Sequence, residues 1–257
     1  MKMSNRTVLI TGGAGGIGSE LSKQLLARGN VVIVTGRDEA RLDRARHALP
    51  GLHIIKSDAS DPIAIKELHD RLIAQFPALD MIVNNAGVMR NLKLHEDRSL
   101  VDLTREIELG INGPMWMVQQ FLGHLRTRPN ALIVNISSGL AFVPFPAAPI
   151  YCAAKAALHA YTKCLRAQLN GRGVSVVELA PPGTETPLFR AEFEKEMKRE
   201  KGMPPALLVQ QAIEGIEAGE LEIRPGVSNL LAIASRVAPH VMFRQMVKLS
   251  QLRPETA

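Results

Sequence analysis

Residues 7–27 read TVLITGGAGGIGSELSKQLLA, and this stretch decides the fold. Val8, Leu9 and Ile10 form a short run with no polar alternation. Residues 11–18, TGGAGGIG, are crowded with glycine, and a helical pattern follows through Ala27. A strand apolar on both faces belongs inside a parallel sheet covered by helices. A glycine-rich turn lets the backbone come close to a phosphate, and the helix N-terminus behind it offers free N–H groups and a positive dipole end. Such a turn is a weak signal alone; its place after the first strand is what points to a nucleotide.

The alternation continues outward. Residues 31–34, VVIV, predict a second buried strand, bounded by Asn30 and Gly36, and a charged helix then runs to Ala48. Further strands are predicted at residues 53–55, 81–83, 131–134 and 174–177, with a seventh at 221–223. Helices are predicted at residues 63–76, started by Asp61-Pro62, at 100–125 as one long helix, and at 150–169, ending at Gly171. Strands alternating with helices give a doubly wound, mostly parallel sheet of about seven strands, a Rossmann arrangement. Its ligands sit outside the carboxyl ends of the strands.

The 257 residues, 46% hydrophobic, suit one large α/β domain. The polar start is no signal peptide, and no apolar run reaches the ~20 residues of a membrane span, so a soluble cytoplasmic protein is expected. Cys152 and Cys164 fall twelve residues apart on one predicted helix. That is roughly 18 Å, too far for a disulfide, and both read as buried free thiols. The net charge is +6 and the pI about 9.5, but acids are interspersed with the cations and aromatics are only 4%. A nucleic-acid partner is therefore disfavoured. The histidines show no metal-ligand spacing.

The spacing Thr-Gly, three residues, Gly, one residue, Gly departs from the usual dinucleotide fingerprint. It resembles the glycine motif of the short-chain dehydrogenase/reductase family, on which Gly12, Gly16, Ile17 and Gly18 form the cofactor turn. The second strand ends Thr35-Gly36-Arg37, with no carboxylate for a ribose 2′-hydroxyl. A guanidinium instead matches a 2′-phosphate, so Arg37 favours NADP over NAD, and Asp38 is placed to cap the next helix. The resemblance further implies that Asp58 and Ala59 reach the adenine, and that Asn85, Ala86 and Gly87 belong to the family's NNAG segment.

Tyr151 and Lys155 stand at i and i+4 and share a helix face, with Ser138 thirteen residues before the tyrosine. A free phenol has a pKa of about 10, too high for a base at neutral pH, and a nearby ammonium is expected to lower it. Tyr151 is thus the expected acid/base, Lys155 its tuner and ribose ligand, and Ser138 the partner of the substrate oxygen. Together these match the family's Ser-Tyr-Lys set, and the resemblance covers about residues 6–190. Residues 137–169 look like a bacterial branch named after teichoic-acid D-alanylation. The resemblance implies hydride transfer between NADP(H) and a small carbonyl or alcohol substrate in a homodimer or homotetramer.

Two departures stand out. Where the family has a catalytic Asn, this chain has Gly110, and Asn112 lies two residues on, about 200° around a regular helix. Either the helix is distorted and Asn112 substitutes, or the relay through Lys155 is weakened. After the sixth strand the family's Pro-Gly becomes Pro181-Pro182-Gly183, with Thr184 expected at the nicotinamide amide and Thr186 at the nearby phosphate or amide.

The substrate pocket is expected to be closed by residues 88–98, 140–149 and 186–205. In the last, Phe189, Phe193 and Met197 at helical spacing suggest a lid helix, with an ordinary surface helix as the alternative. Phe142, Val143 and Phe145 suggest an apolar substrate part. Residues 227–257 read as a helical extension broken at Pro239, expected to pack on the core or form a subunit contact, with a membrane surface less favoured. A catalytically weak NADP-binding regulator of the same fold is the alternative reading, motivated by Gly110.

Overall fold

The computed structural model describes residues 1–196, 198 and 200–250 of the chain. The chain runs β1 (Thr7–Thr11), α1 (Gly16–Leu26), β2 (Val31–Gly36), α2 (Glu39–Ala48), β3 (His53–Lys56), α3 (Pro62–Gln75) and β4 (Met81–Asn84). Then come α4 (Leu100–Leu103), α5 (Arg105–Ile107), a π-helical turn (Glu108–Asn112), α6 (Gly113–Leu125), β5 (Ala131–Ile136) and α7 (Pro149–Leu169). β6 (Val174–Leu179), α8 (Pro187–Arg190), α9 (Pro205–Ala218), β7 (Glu222–Ile223), α10 (Val227–Val237) and α11 (Pro239–Leu249) complete it.

The seven strands pair in parallel in the order β3-β2-β1-β4-β5-β6-β7. The chain winds one way from β1 to β3 and the other way from β4 to β7, so a crevice opens between the carboxyl ends of β1 and β4. The pleat sends alternate side chains to opposite faces. Val8, Ile10, Val32 and Val34 join one buried layer with Leu21, Leu25 and Ile213, under α1 and α9. Leu9 and Ile33 join the other with Leu68, Leu72, Phe121 and Leu165, under α3, α6 and α7. Both faces are covered, which is why the strands carry no polar alternation. The helix starts follow local chemistry: Asp38 accepts from Arg41 N at 3.0 Å, and Asp61 accepts from Ile63 N at 2.8 Å with Pro62 in the first turn.

Three expectations need correction. Residues 100–125 are not one helix. Pro114 has no N–H for the carbonyl of Gly110, and Gly113 N bonds Glu108 O instead, the five-residue step of a π turn. The turn also brings Gly113 so near Ala59 that a Cβ there would stand 2.1 Å from the Ala59 oxygen. Cys164 is exposed on the outer face of α7, whereas Cys152 is buried. The lid helix is reduced to the four residues of α8, because Phe193 leaves the helical path and is buried against Phe145, ring centroids 5.9 Å apart. Met197 lies outside the described residues. The segment is stitched at its base, where Met203 N donates to Gly183 O (2.7 Å) and Glu185 N to Met203 O (3.0 Å). The C-terminal extension is two helices, α10 and α11, divided at Pro239. Ser228 and Ala232 are buried, but Leu230, Ile233 and Val237 face outward; residues 251–257 lie outside the described set. Among the described residues, no helix is long and apolar enough to cross a membrane.

Candidate active site

The carboxyl ends of β1, β2, β4, β5 and β6 surround one cavity of about 770 Å³. Gly12, Gly16 and Ile17 line it, as do Arg37, Asp58 and Ala59. Asn85, Ala86 and Gly87 follow, then Ser138, Tyr151 and Lys155, then Pro181, Thr184 and Thr186. Two expected residues lie outside the lining. Gly18 sits below the turn, where a Cβ would meet Asn85 Nδ2 at 2.6 Å and Gly12 O at 2.7 Å. Asn112 is the other.

The glycine turn is held by its neighbours. Gly12 has φ +65°, and a Cβ there would stand 3.0 Å from Ala86 Cα; Gly16 has φ +54° and faces the Thr186 methyl. Both positions favour glycine. Asn85 Nδ2 donates to Thr11 O (2.9 Å) and Gly12 O (3.2 Å), while Thr11 Oγ1 accepts from the backbone N–H groups of Asn85 and Ala86. The NNAG segment thus buttresses the turn. The helix behind it starts at Gly15 with no side-chain cap, so its N–H groups face the cavity. A cradle with its side chains deleted, closed by a bare helix N-terminus, fits a pyrophosphate.

Around the far end of the turn stand two cations. Arg37 Nη1 lies 3.7 Å from Asp58, both half-exposed. Arg41, not singled out from the sequence, also lines the cavity, and its guanidinium rests over Gly15, where a Cβ would stand 2.4 Å from Nη2. The available signal was its spacing from Arg37, four residues on, beside a glycine.

Tyr151 and Lys155 are both buried on α7, with the ammonium 5.7 Å from the centre of the tyrosine ring. Ser138, at the end of β5, hydrogen-bonds the Tyr151 side chain. Burial pushes the phenol up to about 12, against the pull of the Ser138 hydrogen bond. The expected lowering does not occur: burial is the largest influence on the phenol, and it favours the neutral form. Burial likewise pushes Lys155 down to about 8, opposed by the negative charge of Glu178. Lys155 Nζ donates to Ile136 O at 2.7 Å.

Glu178 is a second residue that sequence reading missed. It is buried on β6, takes a 2.5 Å hydrogen bond from Ser137 Oγ, and lies 2.8 Å from His159 Nδ1. Tyr151, Lys155 and His159 follow one another at successive turns of α7, so the carboxylate closes a polar row behind the tyrosine. A lone acid in an otherwise apolar strand was the signal.

Asn112 does not substitute for the family asparagine. Its Nδ2 donates to Glu108 Oε2 at 2.8 Å. At the family position Gly110 presses on Ala154, where a Cβ would stand 2.9 Å from the alanine Cβ. The π turn distorts the helix without bringing Asn112 to Lys155.

Much of the remaining wall is apolar, with Met89, Leu140, Phe145, Leu188, Phe189 and Leu231 and, from α11, Met246 and Leu249; the charged Glu192, Glu200 and Lys201 also line it. Of the predicted trio only Phe145 lines it; Phe142 packs edge-on against His159, and Val143 is buried elsewhere. Asn91 ties its loop to the segment after α8, its N donating to Glu192 Oε2 (2.7 Å) and its Nδ2 to Glu196 Oε1 (3.0 Å).

The chain is similar to several known oxidoreductases. Uncharacterized oxidoreductase DltE of Bacillus subtilis is 40% identical over 248 residues, covering 96% of this chain and 98% of that protein. A fatty acyl-CoA reductase of Acinetobacter baylyi is 27% identical over 93% of this chain and 82% of its own length. A short chain dehydrogenase from Burkholderia cenocepacia, solved in complex with NADP, superposes with a TM-score of 0.80 at 22% identity, covering 99% of this chain and 100% of that one. Residues 6–197 match the short chain dehydrogenase family, and the chain belongs to that family.

Proposed function

We propose that this oxidoreductase interconverts a carbonyl and an alcohol with NADP(H), on substrates with an apolar body. The observation that carries the reading is that Ser138, Tyr151 and Lys155 line the same cavity as the glycine turn. Gly12, Gly16 and Ile17 would hold the pyrophosphate, Asp58 and Ala59 the adenine end, and Thr184 and Thr186 the nicotinamide end. Lys155 would hold the adjoining ribose. The cofactor, when bound, supplies or accepts the hydride.

The protein's own residues handle the proton and the charge. With a pKa near 12, Tyr151 is protonated at neutral pH and acts first as an acid, giving its Oη proton to the substrate oxygen. Ser138 hydrogen-bonds the same oxygen and holds it in reach of the phenol. The phenolate left behind faces the Lys155 ammonium, which stabilises it. A lysine near 8 is poised to return a proton at working pH. With glycine at position 110, no amide side chain serves Lys155 from that turn, and Glu178 supplies the charge that sustains its ammonium. In the oxidation direction the same groups run in reverse.

Arg37 and Arg41 together favour a 2′-phosphate, hence NADP over NAD. The apolar wall favours an acyl or alkyl body, in keeping with the relative named fatty acyl-CoA reductase. Residues 186–205 act as the strap that closes over it. The test is NADPH fluorescence titration followed by a screen of aldehydes and ketones of increasing chain length. Tyr151→Phe should keep NADPH binding and lower kcat by ~10²–10⁴-fold. Unchanged turnover in that variant would overturn the catalytic assignment and leave a cofactor-binding regulator.

A further inference from the structure

We infer that the outer face of the α10–α11 hairpin docks on an anionic lipid surface. The inner side of the hairpin is accounted for: Ser228 and Leu231 pack on the turn after Ser138, and Met246 and Leu249 reach the cavity wall. The outer side is not. Leu230, Ile233 and Val237 on α10 are 61%, 53% and 80% exposed, whereas the exposed Val227 borders the cavity. At 100° per residue these three fall within an arc of about 60°. Val241 and Phe243 on α11 are exposed as well.

The charge around this band has one sign. From Val227 to Ser250 the chain holds Arg236, Arg244 and Lys248 and no Asp or Glu, although 25 acids are spread through the whole sequence. All three cations are exposed, and among the described residues none makes an ion pair. An apolar band flanked by unpaired cations is the pattern of a helix lying in a membrane interface, its aliphatic residues among acyl chains and its cations at anionic headgroups.

A second copy of the chain fits this face less well. A two-fold contact brings the patch against itself, so each cation would face cations with no carboxylate to meet them. An anionic surface meets every one. Docking also sets the apolar cavity wall, built partly from the same two helices, next to the lipid. The docking inference does not depend on the proposed reaction, and its test reads binding alone.

The experiment floats the full-length protein with vesicles of phosphatidylcholine, with and without a third of phosphatidylglycerol, at low and high salt. The expected result is flotation with the anionic vesicles only, weakened by salt. A variant carrying Arg236→Glu, Arg244→Glu and Lys248→Glu should lose about a hundred-fold in partitioning, at roughly tenfold or less per cation. Leu230→Asp with Ile233→Asp should lose flotation while keeping the thermal unfolding temperature and NADPH binding, because both positions are exposed. Three outcomes overturn the proposal: no flotation with anionic vesicles, flotation that neither variant reduces, or dissociation of a self-assembled species by the aspartates in light scattering. The last assigns the face to a second copy.

Discussion

Lys155 should cost this protein stability, and replacing it with methionine exposes the cost. The ammonium is buried and its pKa falls from 10.5 to about 8. At 1.36 kcal/mol per pH unit, that difference corresponds to about 3 kcal/mol of unfavourable burial. The sign follows from proton counting. Below about pH 8 both folded and unfolded chains carry the proton, and the full penalty is present. Between about 8 and 10.5 the unfolded chain binds the proton and the folded one does not, so stability rises with pH. Lys155→Met removes the charge but leaves the Ile136 carbonyl without its 2.7 Å donor, a loss of about 1 kcal/mol. The net gain at neutral pH is about 2 kcal/mol. For a chain of this size each kcal/mol moves Tm by about 2–4 °C, so the variant should melt about 4–8 °C higher. The assay is calorimetric melting of cofactor-free wild type and variant between about pH 6 and about pH 10. The gap should shrink on the alkaline side. A gap independent of pH, or a variant that melts lower at neutral pH, would refute the reasoning.

Arg37→Asp should raise the KM for NADPH by about 10–150-fold, the equivalent of about 1.5–3 kcal/mol for a charge-assisted contact, and leave NADH unharmed; equal losses with both cofactors in steady-state kinetics would count against the 2′-phosphate role. Asn112→Ala should keep kcat within about threefold, because the amide is engaged by Glu108, and a hundred-fold fall would return Asn112 to the proton path. Glu178→Gln removes the charge that raises Lys155, so the alkaline limb of the pH–rate profile should move to lower pH. A profile that stays in place while the protein merely melts earlier would reduce Glu178 to a packing role.

The sheet was legible because each strand is apolar on both faces, and only helices on both sides can bury such a strand. β1 to β6 appear where the runs of Val, Ile and Leu place them, and the glycine turn follows from the first of these. The form of the π turn was not legible: Pro114 signals a break in the hydrogen-bond ladder, but apolar periodicity does not say whether the helix stops or widens there, and the close approaches of Gly110 to Ala154 and Gly113 to Ala59 belong to the packed structure. Arg41 read as one more charge on an exposed helix, since its position over Gly15 depends on how α2 returns to the turn. The protonation of Tyr151 depends on how much water the fold removes, which residue spacing does not encode. Likewise α10 and α11 announced an amphipathic pattern, but which side faces the protein is a property of the packed structure.

The margins of the sheet carry a consequence for handling. β3 has four residues and ends in Lys56, which pairs with Glu39 at 3.4 Å. β7 has two, and its Glu222 is occupied by Arg166 and Arg224. Borders this brief and this charged make poor templates for a foreign strand. The aggregation-prone segments are the interior ones, TVLIT and ALIVNI, uncovered only when the covering helices come away. Loss of material on storage should therefore track unfolding rather than concentration of the native form.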